Sequence, residues 1–387
     1  MPKVDSISAE KILNSRGDWT IKVNVVSDKG NQESFSVPEG KSRGSMEARI
    51  INPDKAIDLI NKKIAKEFRG FDFTDQSRVD AKLIELDGTK NKSNLGSNTI
   101  LGVSFALARL AAKEEGVPFW KYISKLSKAK VSDKKPQIFA NMINGGVHAD
   151  NNLDIQEFLL LTKNSTFRKS VEKIVKVFQQ IKLDLENTTS IAVGDEGGFA
   201  VSFRTDGAAI KYLHSFAKKN NLGVGIDAAA NNLNWINLRS KMFYKRIHNK
   251  FGVSYIEDPF RENEARHFSK LVSKFGKSLS VSGDDLTVTS SSLIEEAHQM
   301  SAINAVIIKP NQIGTLTEAL EAVKLARKYE YQIIASHRSG ETNDTSIVDF
   351  AVGIAADGIK IGAPNRGERV AKYNRLLEIE GELKGRR

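Results

Sequence analysis

The chain is 387 residues long, and 58 Lys and Arg against 47 Asp and Glu give it a formal charge of +11. At about 150 residues per domain the length predicts two to three domains, or fewer if one is a barrel of up to about 250 residues. A composition of 40% apolar and 27% charged residues is that of a globular protein, and the absence of cysteine excludes disulfides, zinc ribbons, iron–sulfur clusters and thiol nucleophiles. The opening MPKVDSISAEKIL lacks the long apolar run of a secretion signal. The most apolar stretch, Thr99 to Ala112, is interrupted by Arg109 and is too short to span a bilayer. The expectation is a soluble, cytoplasmic protein whose positive surplus suits an anionic substrate or a polyanion.

From Ser6 to Val37 the pattern has strand character. IKVNVV alternates apolar and polar residues, SDKGNQ supplies a turn and ESFSV follows, which predicts a hairpin. Pro38 to Ala48, PEGKSRGSMEA, is rich in turn formers and basic residues and is predicted to be a loop. Of three helical stretches that follow, the clearest is Ser97 to Gly116, with Ser97 as N-cap and Gly116 ending it before Pro118. It is apolar almost all round, as a buried helix is. The polar, basic segment Ser124 to Pro136 is the predicted boundary between residues 1–127 and 136–387.

Beyond the boundary short apolar runs alternate with amphipathic segments. Val171, Ile174, Val175 and Phe178 are predicted to share a helical face, and Thr315 to Glu318 reads as a capping box. Six strand-like runs each finish in a polar residue: LGVGID (222–227), VSYIED (253–258), LSVSGDD (279–285), AVIIK (305–309), YQIIASHR (331–338) and GIKIGAP (358–364). The markers Asp227, Glu257, Asp284, Lys309, His337 and Lys360 follow one another at 23–30 residues, close to the length of a β/α unit. Repeated units of this kind predict an α/β fold, either a barrel or a doubly wound sheet. The barrel is preferred, because only a closed ring points all six strand ends at one mouth.

The first three markers are carboxylates. Converging without Cys or His, Asp227, Glu257 and Asp284 suit a hard cation such as Mg²⁺. Lys309 ends an otherwise apolar strand, where it is either a rim lysine or a desolvated amine whose lowered pKa fits a general base. Lys360 presents the same choice. The run Ser336 to Thr342 places Arg338 and Ser339 just after a strand, as an anion clamp or a helix cap. NGGVHADN (144–151) and VGDEGGF (193–199) are Gly-flanked turns carrying His148, Asp195 and Glu196, suited to close backbone approach or simply to turning. A Walker A loop, a GxGxxG after a strand and a GxSxG elbow are all absent. Metal, base, acid and anion clamp together are what removal of a proton alpha to a carboxylate requires.

At this point the residues resemble the enolase (phosphopyruvate hydratase) family from end to end. The matching motifs are NSRGDWT (14–20), PEGKSRG, GSNTILGVS (96–104), INGGVHADN, IQEF (155–158), VGDEGGFA, IEDPF (256–260), GDDLTVT (283–289), KPNQIGT (309–315), SHRSGET and KIGAP. The enolase superfamily is known for a Lys or His base with one or two Mg²⁺ ions. The resemblance implies a small N-terminal α+β domain, an enolase-type β/α barrel with irregular first strands, a homodimer, and dehydration of 2-phosphoglycerate to phosphoenolpyruvate. It implies Lys309 as base, Glu196 as general acid supported by Glu157, and Asp227, Glu257 and Asp284 around a first Mg²⁺. Ser42 would contribute to a second Mg²⁺ that bridges to the substrate phosphate. Arg338 and Ser339 would hold that phosphate, with His148, Gln156, His337 and Lys360 completing the pocket.

The chain departs from the family pattern where SGASTG is usual and Glu39-Gly40-Lys41-Ser42-Arg43-Gly44 stands, and at Trp19, Val147 and Asp150. The added bases and the +11 charge leave a second reading, an enolase-like scaffold that binds nucleic acid. A third, another reaction of the same superfamily, is disfavoured by SHRSGET and by Lys309 at its strand end.

Overall fold

Alternating side chains build the first layer. In the computed structural model, which describes all residues except 42, 132–135, 188–190, 234–240 and 386–387, β1 (Val4–Leu13), β2 (Trp19–Ser27) and β3 (Gln32–Ser36) form an antiparallel sheet in chain order. The predicted hairpin is thus the second half of a three-stranded meander. Ile21, Val23, Val25 and Phe35 are buried on its inner face, as a period of two demands. After the loop come α1 (Pro53–Leu59), a π-helical turn at Ile60–Ile64, α2 (Ala65–Phe68) and α3 (Gln76–Asp87).

The predicted buried helix, α4 (Ser97–Glu114), packs on β2 and β3. Gly102 allows the approach, since a Cβ there would lie 2.5 Å from Val23 Cγ2. Its N-cap is Gly96, not Ser97: the cap backbone has φ 86°, which favours glycine, and the Ser97 hydroxyl donates to the Ala48 carbonyl instead.

α5 (Phe119–Ser127) leads to β4 (Gln137–Asn144) and β5 (Glu157–Leu161), followed by α6 (Phe167–Glu186), α7 (Asp206–Asn220) and β6 (Gly223–Asp227). Regular alternation then runs α8 (Lys241–Phe251), β7 (Val253–Glu257), α9 (Ala265–Phe275), β8 (Ser280–Gly283), α10 (Ser291–Gln299) and β9 (Ala305–Ile308). The short α11 (Pro310–Ile313), α12 (Leu316–Lys328), β10 (Gln332–Ser336), α13 (Ser346–Gly353), β11 (Gly358–Lys360) and α14 (Gly367–Leu383) complete the order. The strands close into one barrel, β10-β11-β4-β5-β6-β7-β8-β9. All six strand-like runs are present as β6 to β11, and the ring is closed rather than open.

One strand breaks the parallel order. β5 is antiparallel to both β4 and β6, so it presents its first residue at the end where β6 presents its last, and Glu157 pairs with Asp227. The barrel interior is filled by Phe139, Leu159, Leu161, Tyr255, Ala305, Ile307 and Ile334, with Phe139 edge-on to Tyr255 at 4.9 Å. A separate, larger core lies outside the barrel wall and runs on into the N-terminal layer.

Two local expectations change. Val175 is 37% exposed while Val171, Ile174 and Phe178 face inward, because neighbouring helix positions point about 100° apart and the stripe follows Ile174. At Thr315 the hydroxyl accepts the Glu318 amide at 3.1 Å and donates to the Glu318 carboxylate at 2.6 Å, so the capping glutamate bonds the hydroxyl instead of reaching back to the cap amide. α5, which precedes the predicted boundary, packs tightly on α13 of the barrel: a Cβ at Gly353 would lie 2.5 Å from Ile123 Cβ. Among the described residues no helix is long and apolar enough to cross a membrane.

Candidate active site

The strand ends of the barrel gather three buried acids and the partly buried Asp284 around two lysines. Lys360, which ends β11, places Nζ 2.7 Å from Glu257, 3.1 Å from Glu157 and 3.4 Å from Asp227. Lys309, one residue past β9, donates to the Asp284 carboxylate, whose other oxygen accepts from Gln312 at 2.8 Å. From below, the Tyr255 hydroxyl donates to Glu257 at 2.7 Å. Burial opposes charge on Lys309, yet Asp284 outweighs it and holds the amine above the ordinary lysine value. The lowered pKa expected of Lys309 was that of an amine beside a metal; beside Asp284 the amine keeps its proton. Asp284 is held below its usual range because Lys309 and Arg338 overcome the effect of burial.

This half of the mouth suits a hard divalent cation. Burial, with Asp227 adding to it, pushes Glu257 up to about 8, and Glu257 Oε1 is buried without a hydrogen-bond partner among the described residues. Buried, surplus negative oxygen of this kind is what such a cation binds. Asp227, Glu257 and Asp284 could hold it in place of the lysines. Tighter groups, with ligand atoms within 4.8 Å of one another, are His148, Glu157 and Glu196 on one side and Asp258, Asp284 and Asp285 on the other. Asp258 shapes the turn after β8: its two carboxylate oxygens accept the Asp284 and Asp285 amides, each at 2.9 Å. Ser42, expected at a second metal, lies outside the described residues.

The opposite half is poor in charge and rich in unsatisfied polar atoms. The two Gly-flanked turns pack face to face, since a Cβ at Gly194 would lie 2.6 Å from the His148 carbonyl oxygen. They bring Glu196 to 3.7 Å from His148 Nδ1 and 3.5 Å from His337 Nε2, while Asn141 donates to it at 2.9 Å. Both ring nitrogens of His148, His337 Nε2, Gln156 Oε1 and the Asn144 amide are buried without a hydrogen-bond partner among the described residues. Buried polar groups are rarely left so. Burial would raise the Glu196 pKa, but His337 and His148 overcome it and hold it well below the carboxylate range. Burial and the Glu196 charge push Glu157 well above that range. The two carboxyls of the pair are thus shifted in opposite directions, Glu157 up and Glu196 down.

The loop of residues 38–48 lies over the mouth. Glu39 and Gly340 exchange backbone hydrogen bonds of 2.7 and 2.8 Å, the Lys41 amide donates to Ser339 Oγ at 2.9 Å, and Lys41 Nζ donates to the Val147 carbonyl at 2.6 Å. Arg43 pairs with Glu39. The Arg338 guanidinium meets Glu47 at 3.0–3.2 Å and Asn311 at 3.3 Å. Gly40 covers it so closely that a Cβ there would lie 2.0 Å from Arg338 Nη2. Every proposed site residue that the structure describes therefore reaches this mouth. Glu47, Asn141, Asn311, Asp258 and Arg369 were not read from the sequence. Glu47 and Asn311 lie within or beside quoted motifs, and that proximity was the available signal; Arg369, on a distant helix, gave none.

Known proteins share this architecture. A family model described as the enolase N-terminal domain matches residues 4–123, and one described as the enolase C-terminal TIM barrel domain matches 134–234 and 227–386. Enolase from Campylobacter lari is 38% identical over 404 residues, covering 97% of both chains. Enolase from Campylobacter jejuni subsp. doylei is 38% identical over 409 residues, covering 99% of this chain and 98% of its own. With the two domain models together matched over nearly the whole chain and both relatives 38% identical along it, the chain belongs to the enolase family.

Proposed function

We propose the following division of labour for the family's reaction, the dehydration of 2-phosphoglycerate to phosphoenolpyruvate, which the chain carries out as a phosphopyruvate hydratase. Lys309 takes the proton from C2, and the Glu157–Glu196 pair supplies the proton with which the 3-hydroxyl departs as water. One observation carries this reading: β9, which leads into Lys309, and β5, which begins with Glu157, stand four places apart in the ring of eight strands. Base and acid thus occupy opposite walls, which suits loss of proton and hydroxyl from opposite faces of the substrate.

Each group has a preparatory task. Lys309 is charged while Asp284 holds it, so it serves as base only where that carboxylate is engaged elsewhere. Asp227, Glu257 and Asp284 would hold one Mg²⁺, and Ser42 would contribute to a second. Bound there, the cations offset the negative charge that builds on the substrate carboxylate. The proton on Glu157 passes to Glu196 before it reaches the leaving hydroxyl, a short transfer within a cluster spanning 4.8 Å. Arg338 and Ser339 take the phosphate, with Glu47 and Asn311 keeping the guanidinium in orientation. His148, Gln156, His337 and Lys360 line the pocket, and the unpartnered atoms of the first three suit the substrate hydroxyl and carboxylate.

Around this chemistry we place residues 1–127 as a capping unit and 136–387 as the catalytic barrel, acting as a cytoplasmic homodimer in glycolysis. A second, additional reading is nucleic-acid binding. α8 and α9 expose Lys245, Arg246, Lys250, Arg266, Lys270 and Lys274, contain no acidic residue, and form no ion pair with a described residue through these six. Binding there would weaken steeply with salt. The main reading is tested by Mg²⁺-dependent formation of phosphoenolpyruvate from 2-phosphoglycerate, with Lys309→Ala expected to lower kcat by roughly 10²–10⁴-fold. A purified protein without that activity, and a variant indistinguishable from it, would end the reading.

A further inference from the structure

Arg369 is fully buried in the first turn of α14, far in sequence from every strand end. Its Nη1 contacts His337 Nδ1 and donates to the Arg338 carbonyl at 2.8 Å, and its Nη2 donates to the Ser339 carbonyl at 2.7 Å and the Asp195 carbonyl at 3.2 Å. One side chain thus ties the clamp loop to the turn that carries Glu196. Two neighbours brace the same region: Lys372 Nζ donates to the Thr342 carbonyl at 3.0 Å, and the Tyr373 hydroxyl donates to the Gly362 carbonyl at 2.8 Å.

We propose that Arg369 is a positioning residue that fixes the tautomer of His337, so that the ring turns an N–H, and not a lone pair, toward Glu196. The argument rests on hydrogen-bond chemistry. A guanidinium has only donors, so a ring nitrogen that meets it must accept. Nδ1 of His337 is therefore unprotonated, and the neutral ring carries its hydrogen on Nε2. That nitrogen lies 3.5 Å from Glu196 Oε1, too long for a full hydrogen bond and near enough for its polarity to favour the carboxylate. Burial and the adjacent Arg369 charge lower the His337 pKa to about 4, which agrees with a ring that stays neutral. Loss of the donor would let the proton move to Nδ1, leaving the Nε2 lone pair facing Glu196 and displacing the proton balance of the Glu157–Glu196 pair. The catalytic consequence rests on the role proposed for that pair; the tautomer does not.

The experiment is nitrogen NMR of selectively ¹⁵N-histidine-labelled protein, free of metal and substrate, for the parent and for Arg369→Met and Arg369→Lys. In the parent, His337 is expected to show a protonated Nε2 and an unprotonated Nδ1 across neutral pH. In Arg369→Met the Nδ1–H form is expected to appear, and kcat to fall roughly 10–100-fold, the size of losing a partner that orients an imidazole, with little change in KM. Arg369→Lys keeps a donor and is expected to keep the parent tautomer and most of kcat. A parent ring protonated on Nδ1 would overturn the proposal, and this result needs no variant to fold. So would an Arg369→Met ring with the parent tautomer. If the tautomers behave as stated but the parent does not convert 2-phosphoglycerate, the proposal about His337 stands and the reaction assigned to the mouth fails.

Discussion

The two halves of the barrel mouth solve opposite problems. Around Lys309 and Lys360, four carboxylates, three of them buried, and two amines satisfy much of one another's charge. Around His148 and His337, several buried polar atoms have no hydrogen-bond partner among the described residues. The first half is an ion cluster in which lysines sit where a cation could, with Glu257 Oε1 left without a partner among the described residues. The second half leaves more of its hydrogen-bonding capacity without a partner among the described residues. Pre-organisation for binding here means leaving groups unsatisfied, at a cost in stability that the surrounding core absorbs.

Removing a charge from the first half should therefore hurt folding more than removing a polar group from the second. Lys360→Met would leave Glu157, Asp227 and Glu257 buried without their common cation, and is expected to cost about 3–5 kcal/mol in chemical denaturation without metal. Millimolar Mg²⁺ should recover part of that loss, because the ion binds only the folded acids. An unchanged midpoint would show that the cluster is not a charge balance at all. His148→Leu should do the reverse: activity is lost, while stability stays level or rises by up to about 1–2 kcal/mol, since an unsatisfied imidazole is replaced by an apolar side chain of similar size. A large destabilisation would mean that His148 is bonded in solution and the contrast between the halves is wrong.

A further effect is in acid. The folded pKa of His337, about 4, lies below its ordinary value of 6.5. As pH falls through that window the unfolded chain takes up a proton first, so stability present above pH 6.5 is lost toward pH 4, by at most about 1.4 kcal/mol per pH unit. His337→Asn should flatten this part of the stability–pH curve relative to the parent. Parallel curves would place the titration on another group.

Much of this was legible in the chain because strand ends in a parallel barrel have a linear signature. Asp227, Glu257, Asp284, Lys309, His337 and Lys360 each close an apolar run, and the ring brings them together without further information. Glu157 has no such signature, because β5 is reversed and carries its functional residue at its start; only the IQEF motif pointed to it. Periodicity could not separate Ile174 from Val175 on the same stripe, and residue type could not show that Gly96 caps α4, because both depend on what packs opposite.

The sequence alone determined the class of fold and many of the residues at the mouth, since these follow from local pattern and from the types of side chain present. Only the tertiary structure decided which charges neutralise which. Lys309 is held charged by Asp284, Glu157 and Glu196 are shifted in opposite directions, and Arg338 is held in place by Glu47 from the other domain. Protonation in a buried site is set by burial and by neighbours a few ångströms away, and those neighbours come from segments that only the closed barrel brings into contact.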